Sequence, residues 1–122
     1  AGLENLAGPG PENDIGGRIP EIKLGLWEMA LVELLSGSSR LAELIQAEMN
    51  SLGDTLDRGV KQAPFRVLVG ATMPAVLVEV GFLSNPEEEK RLLTDEYRGQ
   101  IAGALATAIG RFIRPGADGA PR

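Results

Sequence analysis

The run Met73-Pro74-Ala75-Val76-Leu77-Val78-Glu79-Val80-Gly81-Phe82-Leu83-Ser84-Asn85-Pro86 constrains this chain more than any other stretch. Its first part, about Ala75 to Val80, is a short apolar run, which reads as a strand buried on both faces in a sheet covered by helices. One carboxylate, Glu79, interrupts it near the downstream end. An unpaired buried carboxylate costs several kcal/mol, so an acid here needs a partner, a wet cleft or a chemical role. In open α/β sheets the reactive crevice lies outside the carboxyl ends of the strands, where Glu79 would sit. Gly81 then removes a side chain where a ligand or a neighbouring backbone comes close. Asn85-Pro86-Glu87-Glu88 reads as a helix start, with Asn as N-cap, Pro in the first helical position and Glu88 closing a capping box.

Around this stretch, 122 residues allow one modest domain. Aromatic residues make up only 4%, so Leu, Ile, Val and Ala must fill the core. A net charge of −5 without a Lys/Arg cluster argues against nucleic acid as a partner. No apolar run approaches the ~20 residues of a membrane-spanning helix. Cysteine and histidine are both absent, which removes disulfides, thiolate metal sites, a Ser-His-Asp triad and the commonest zinc ligand.

Taken in order, residues 1–19 carry five glycines and two prolines without periodicity and read as a flexible lead-in, cut in mid-loop. Residues 20–35 read as a helix with two apolar faces: Leu24, Trp27, Leu31, Leu34 and Leu35 on one, and Ile22, Leu26, Met29 and Ala30 on the next. So broad an arc suits either a well-buried helix or a plug that can leave a groove. Ser38-Ser39 are N-cap candidates for a second helix to about Leu52, with core face Leu41, Leu44, Ile45, Met49 and Leu52 and a solvated face at Arg40, Glu43, Gln46 and Glu48. Phe65–Val69 reads as a second short strand, too close in sequence to the first for a helical crossover between them. After a helix at 86–93, Thr94 caps a further one whose stripe is Tyr97, Ile101, Ala104, Leu105, Ala108, Ile109, Phe112 and Ile113. Residues 114–122 should be a loose, disordered tail.

Glu79 is the chemical candidate. Either it caps a loop or pairs with Arg58 or Lys61, or it serves as general acid and base, taking a proton from an attacking water and handing it to a leaving amine. Amide hydrolysis also needs the carbonyl polarised, and nothing in this chain supplies a complete device for that. Glu87-Glu88-Glu89 are simplest as first-turn helix acids.

The string MPAVLVEVGFLSNPEEEKRLL, preceded by RGVKQAPFRVL and followed by EYRGQIAGALATAIGRFI, resembles the C-terminal half of zinc-dependent N-acetylmuramoyl-L-alanine amidases of the amidase 3 family. The likeness runs from about Ser38 to Ile113. It implies a three-layer α/β/α hydrolase-type sheet flanked by helices, present here as a partial domain over 20–113. It also implies cleavage of the amide between N-acetylmuramoyl and the L-alanine of the peptidoglycan stem peptide, by a zinc-activated water with a glutamate as base. Glu79 matches the family's catalytic glutamate. Gly81, Ser84 and Asn85 match positions that shape the site, and Arg58 lies in a segment that approaches the same cleft. Relatives hold Zn2+ through histidines and a glutamate in the N-terminal half. This chain has no histidine, so the metal belongs to a parent enzyme and the isolated chain is expected to be inactive.

Residues 20–35 lie before the matched stretch and are expected to form an inserted lid helix like that of cell-division amidases, with Trp27 in its apolar face and Glu28 or Glu33 toward the metal. An activator protein would displace that lid. Peptidoglycan as partner places the protein in the periplasm or cell envelope. The rival reading is a non-catalytic wall-binding or regulatory module derived from such an enzyme.

Overall fold

The structure, a computed structural model, describes residues 19–53 and 57–116. The expected lead-in at 1–18 and the last part of the expected tail, 117–122, lie outside the described residues. In chain order the elements are α1 (Ile19–Asn50), a single 3-10 turn (Arg66–Leu68), α2 (Pro86–Leu92) and α3 (Asp95–Ile113).

The expectation of an α/β/α sheet is overturned: among the described residues the fold is helical and forms no strand. A strand exists only where a second one completes its hydrogen-bond ladder, and neither strand candidate finds one. Phe65–Val69 turns on itself instead, Leu68 N–H donating to Phe65 O at 3.0 Å and Val69 N–H to Arg66 O at 3.3 Å. Ala75–Val80 has no regular secondary structure. It does keep a strand-like alternation, with Val76, Val78 and Val80 half-buried and Leu77 and Glu79 exposed. The reading that both faces are buried therefore fails as well.

A second difference lies in the first helix. Two helices meeting at Ser38-Ser39 are expected, but α1 runs unbroken across them. The Ser38 hydroxyl, which could have capped a new helix, donates back to Leu34 O at 2.9 Å, a bond compatible with helix interior. It also accepts from Ala75 N–H at 3.0 Å.

The chain divides into two compact units. The first holds residues up to Ser39 with Lys61–Leu77, and the second holds Arg40–Val60 with Val78 onward. In the first unit, Pro74 lies so close to α1 that a Cβ on Gly37 would meet its ring carbon at 2.8 Å, and Gln62 Nε2 donates to Ser39 Oγ at 2.8 Å. The helix there is otherwise thinly covered: Leu24, Leu26, Trp27, Met29 and Val32 are all exposed.

The second unit holds the buried side chains: Ile45 and Met49 from α1 with Ile101, Ala104 and Ala108 from α3. Arg40 lies 5.5 Å from the Phe112 ring, and Arg111 donates to Glu48, whose side chain is only 16% exposed. Glu48 is thus not the solvated residue the sequence suggests. Helix α2 packs on α3, and Arg98 of α3 donates to Leu92 O at 3.0 Å, satisfying a carbonyl at the end of α2. No helix among the described residues is long and apolar enough to cross a membrane.

Candidate functional site

Glu79, the turn that follows it, the start of α2 and Arg58 all lie in the second unit. Helix α2 starts as its residues dictate. Asn85 Oδ1 accepts from the Glu87 and Glu88 N–H groups at 3.0 and 3.4 Å, with Pro86 in the first turn and three acids, Glu87, Glu88 and Glu89, beside the positive end of the helix dipole. The Asn85 N–H donates to Phe82 O at 3.1 Å, closing the turn Phe82–Asn85 ahead of the helix.

Glu88 departs from the capping-box pattern. Its Oε2 accepts from Phe82 N–H at 2.5 Å instead of from its own cap residue. Its Oε1 receives Asn85 Nδ2 and the Arg58 guanidinium, each at 3.4 Å. Arg58 also lies over the Phe82 ring, 4.3 Å from its centroid, a stacking geometry favoured for guanidinium on an aromatic face. Arg58 is in turn placed by Asp57, whose Oδ1 accepts from Gly59 N–H at 2.8 Å and whose Oδ2 accepts from Asn50 Nδ2 at the end of α1 at 2.9 Å. Gly81 adopts φ +153°, and a Cβ there would meet Glu88 Oε2 at 2.9 Å. Only glycine lets that carboxylate come so near the backbone.

The Glu79 side chain is exposed, and among the described residues it makes no ion pair or hydrogen bond. Arg58, one of the two cations weighed as its neutraliser, pairs with Glu88 instead. Of the sequence-derived site residues, Arg58, Gly81 and Asn85 come together around Glu88. Ser84 sits exposed in the turn before Asn85. Trp27, Glu28 and Glu33 are exposed on α1 and belong to the first unit, where Glu28 and Glu33 line a shallow groove with Met29 and Val32. Sequence reading missed the part played by Glu88 and Phe82. The Asn-Pro-Glu-Glu spacing shows that Glu88 reaches backward, but not that it overshoots its cap to Phe82.

Zinc does not fit the residues of this chain. The chain has no histidine or cysteine, and among the described residues no group of three acids could hold a metal ion. No step below is therefore routed through a metal.

Comparison with known proteins bears on the same residues. N-acetylmuramoyl-L-alanine amidase AmiC of Neisseria meningitidis serogroup B is 36% identical over 92 residues, covering 75% of this chain and 22% of its own length. The Bacillus subtilis protein YqiI is 39% identical over 75 residues, 62% of this chain and 36% of that one. N-acetylmuramoyl-L-alanine amidase AmiA of Escherichia coli K12 is 33% identical over 84 residues, 69% of this chain and 29% of that one. The chain thus spans a third or so, or less, of the curated relatives it matches. No solved structure matches it. The family model for N-acetylmuramoyl-L-alanine amidase matches residues 33–111, more than half of the chain and all of the Glu79–Glu88 segment, and the chain therefore belongs to the amidase 3 family.

Proposed function

We infer that this chain forms part of a peptidoglycan hydrolase that cleaves the amide between N-acetylmuramoyl and the L-alanine of the stem peptide, with Glu79 as general base. The observation that carries the reading is the Glu79 carboxylate itself: exposed, and without a hydrogen-bond or ion-pair partner among the described residues. Its place in the stretch that the amidase family model matches, just before the Gly81–Asn85 turn, is what sets it apart from other exposed acids. An unpaired carboxylate in contact with water has the access a general base needs.

In this scheme Glu79 removes a proton from the attacking water as its oxygen bonds to the carbonyl carbon. It returns that proton to the nitrogen as the C–N bond breaks, leaving a carboxylic acid and a free amine. Gly81 and the turn carrying Ser84 and Asn85 shape the wall beside it, and Arg58 covers the ring of Phe82 in that turn. In the full-length protein, polarising the carbonyl would fall to a zinc ion held by residues outside these 122. The substrate places that protein in the cell envelope, the periplasm where the cell has one.

Residues 20–35 supply a second element of the proposal, a lid over the groove of the full-length protein that an activator protein withdraws. Its support is the exposed apolar surface of Leu24, Leu26, Trp27, Met29 and Val32.

The test of the base is Glu79→Gln in the full-length protein, which preserves size and removes the basic oxygen. Release of free L-alanine amino groups from purified peptidoglycan should fall by about 10²- to 10⁴-fold, with the circular dichroism spectrum unchanged. Retained turnover would sink the reading. A full-length wild type that sediments with peptidoglycan yet releases no amine would favour the wall-binding module instead.

A further inference from the structure

The contacts of Glu88 exceed what a first-turn helix acid needs. Its carboxylate takes the Phe82 N–H on one oxygen and the Asn85 amide and Arg58 guanidinium on the other. Because Arg58 also covers the Phe82 ring, the amide and the side chain of one residue are held by one ion pair. Phe82 follows Glu79 by three positions, with only Val80 and Gly81 between them. Gly81 is the joint of this short connection, at φ +153°.

We propose that Glu88 is a positioning residue for Glu79: with Arg58 it clasps Phe82 by amide and ring and so sets the direction from which the Glu79 carboxylate is presented. Glu88 does not touch the reacting atoms; it acts through the backbone that carries the base. The proposal rests on Glu79 being that base, and it deepens that reading by giving Arg58 a structural partner. A carboxylate on an untethered loop samples many orientations, and displacement of a catalytic group by about 1 Å can cost on the order of 10²-fold in rate. The clasp restricts that freedom three residues beyond the base.

Reach distinguishes this role from an ordinary helix acid. Glu88→Asp keeps the charge beside the helix dipole but shortens the side chain by one methylene, so the carboxylate withdraws from Phe82. Glu88→Gln gives up the charge and the ion pair to Arg58 but keeps one acceptor oxygen at the right length for the Phe82 N–H. An acid serving only the helix would be replaced better by Asp; the clasp is replaced better by Gln.

The experiment compares Glu88→Ala, Glu88→Asp, Glu88→Gln and Glu79→Gln in the full-length protein, by steady-state cleavage of a soluble muramoyl-peptide and by hydrogen exchange of the Phe82 amide. Ala and Asp should lower kcat by about 10- to 100-fold with KM unchanged and should speed exchange at Phe82, while Gln, which keeps the bond to the Phe82 N–H but not the ion pair, should recover the slow exchange and part of kcat. Glu88→Ala with full kcat beside an inactive Glu79→Gln would overturn the positioning role alone. Better rescue by Asp than by Gln, or unchanged exchange at Phe82 in Glu88→Ala, would overturn it too. Full activity in Glu79→Gln would remove the general base, and the proposal with it.

Discussion

Gly81 shows how much of this turn rests on the absence of a single atom. A Cβ built there would stand 2.9 Å from Glu88 Oε2 and 3.5 Å from Leu92 Cδ1, and φ at +153° is a conformation L side chains rarely adopt. The nearest obstacle ends a flexible side chain, which would ordinarily step aside at little cost. Here it is held by Phe82 N–H and by Arg58, so moving it breaks contacts that the turn depends on. Gly81→Ala should therefore destabilise by about 1–3 kcal/mol, the usual cost of a residue in a sparsely populated backbone region. Denaturant unfolding measures it. In a Glu88→Ala background the collision is gone and only the backbone term remains, so the Gly81→Ala penalty should shrink. Equal penalties in both backgrounds would mean that Glu88 is not what excludes the Cβ.

At the scale of the elements, what local chemistry decides was readable and what distant pairing decides was not. Asn85 and Thr94 cap α2 and α3 through their own side chains, accepting from backbone N–H groups two or three residues on, so their sequence signatures survive into the fold. Helix α3 buries Ile101, Ala104 and Ala108 from the stripe its spacing marks out. A strand is a different object, because its stability lies in a partner that local sequence does not name. Ala75–Val80 kept the composition and the alternation of a strand while finding no ladder among the described residues. Ser38 was ambiguous for a related reason: a serine that can cap a helix can equally bond back into one, and Ala75 N–H, 37 residues away, engages the same hydroxyl. The candidate site was partly readable. Glu79 stood out as a charge in an apolar run, whereas Glu88 was hidden among three adjacent acids. The close fit on α3 is testable. Ala108 is fully buried at 0% exposure, so Ala108→Leu inserts three carbons where there is no room and should cost about 1–3 kcal/mol. Ala106→Leu, on the exposed side of the same helix, should stay within about 0.5 kcal/mol in the same unfolding measurement.

For the molecule at large, the telling contrast among the described residues is between the buried hydrophobic side chains, all in the second unit, and the apolar surface left open along the first part of α1. Trp27 is 58% exposed, Leu26 62% and Met29 70%, while Leu31 and Leu34 are half-buried. At about 25 cal/mol per Å² of apolar area removed from water, covering such side chains is worth enough to hold a helix in a groove. It is also little enough for a competing partner to reverse. Residues 20–35 are either a lid that can leave its place or the first part of a core helix, since α1 runs on unbroken to Ile45 and Met49. Deleting residues 20–35 from the full-length protein separates the two. If they form a lid, basal amide cleavage should rise by about tenfold, the gain expected when a closed form outnumbers the open one by that ratio, and the thermal transition should persist. If they are core, the same deletion should abolish the cooperative transition and the activity together, because the half-buried Leu31 and Leu34 would be lost with it. Unchanged activity in a stable variant would deny the helix a gating role and leave its exposed face to serve some other contact.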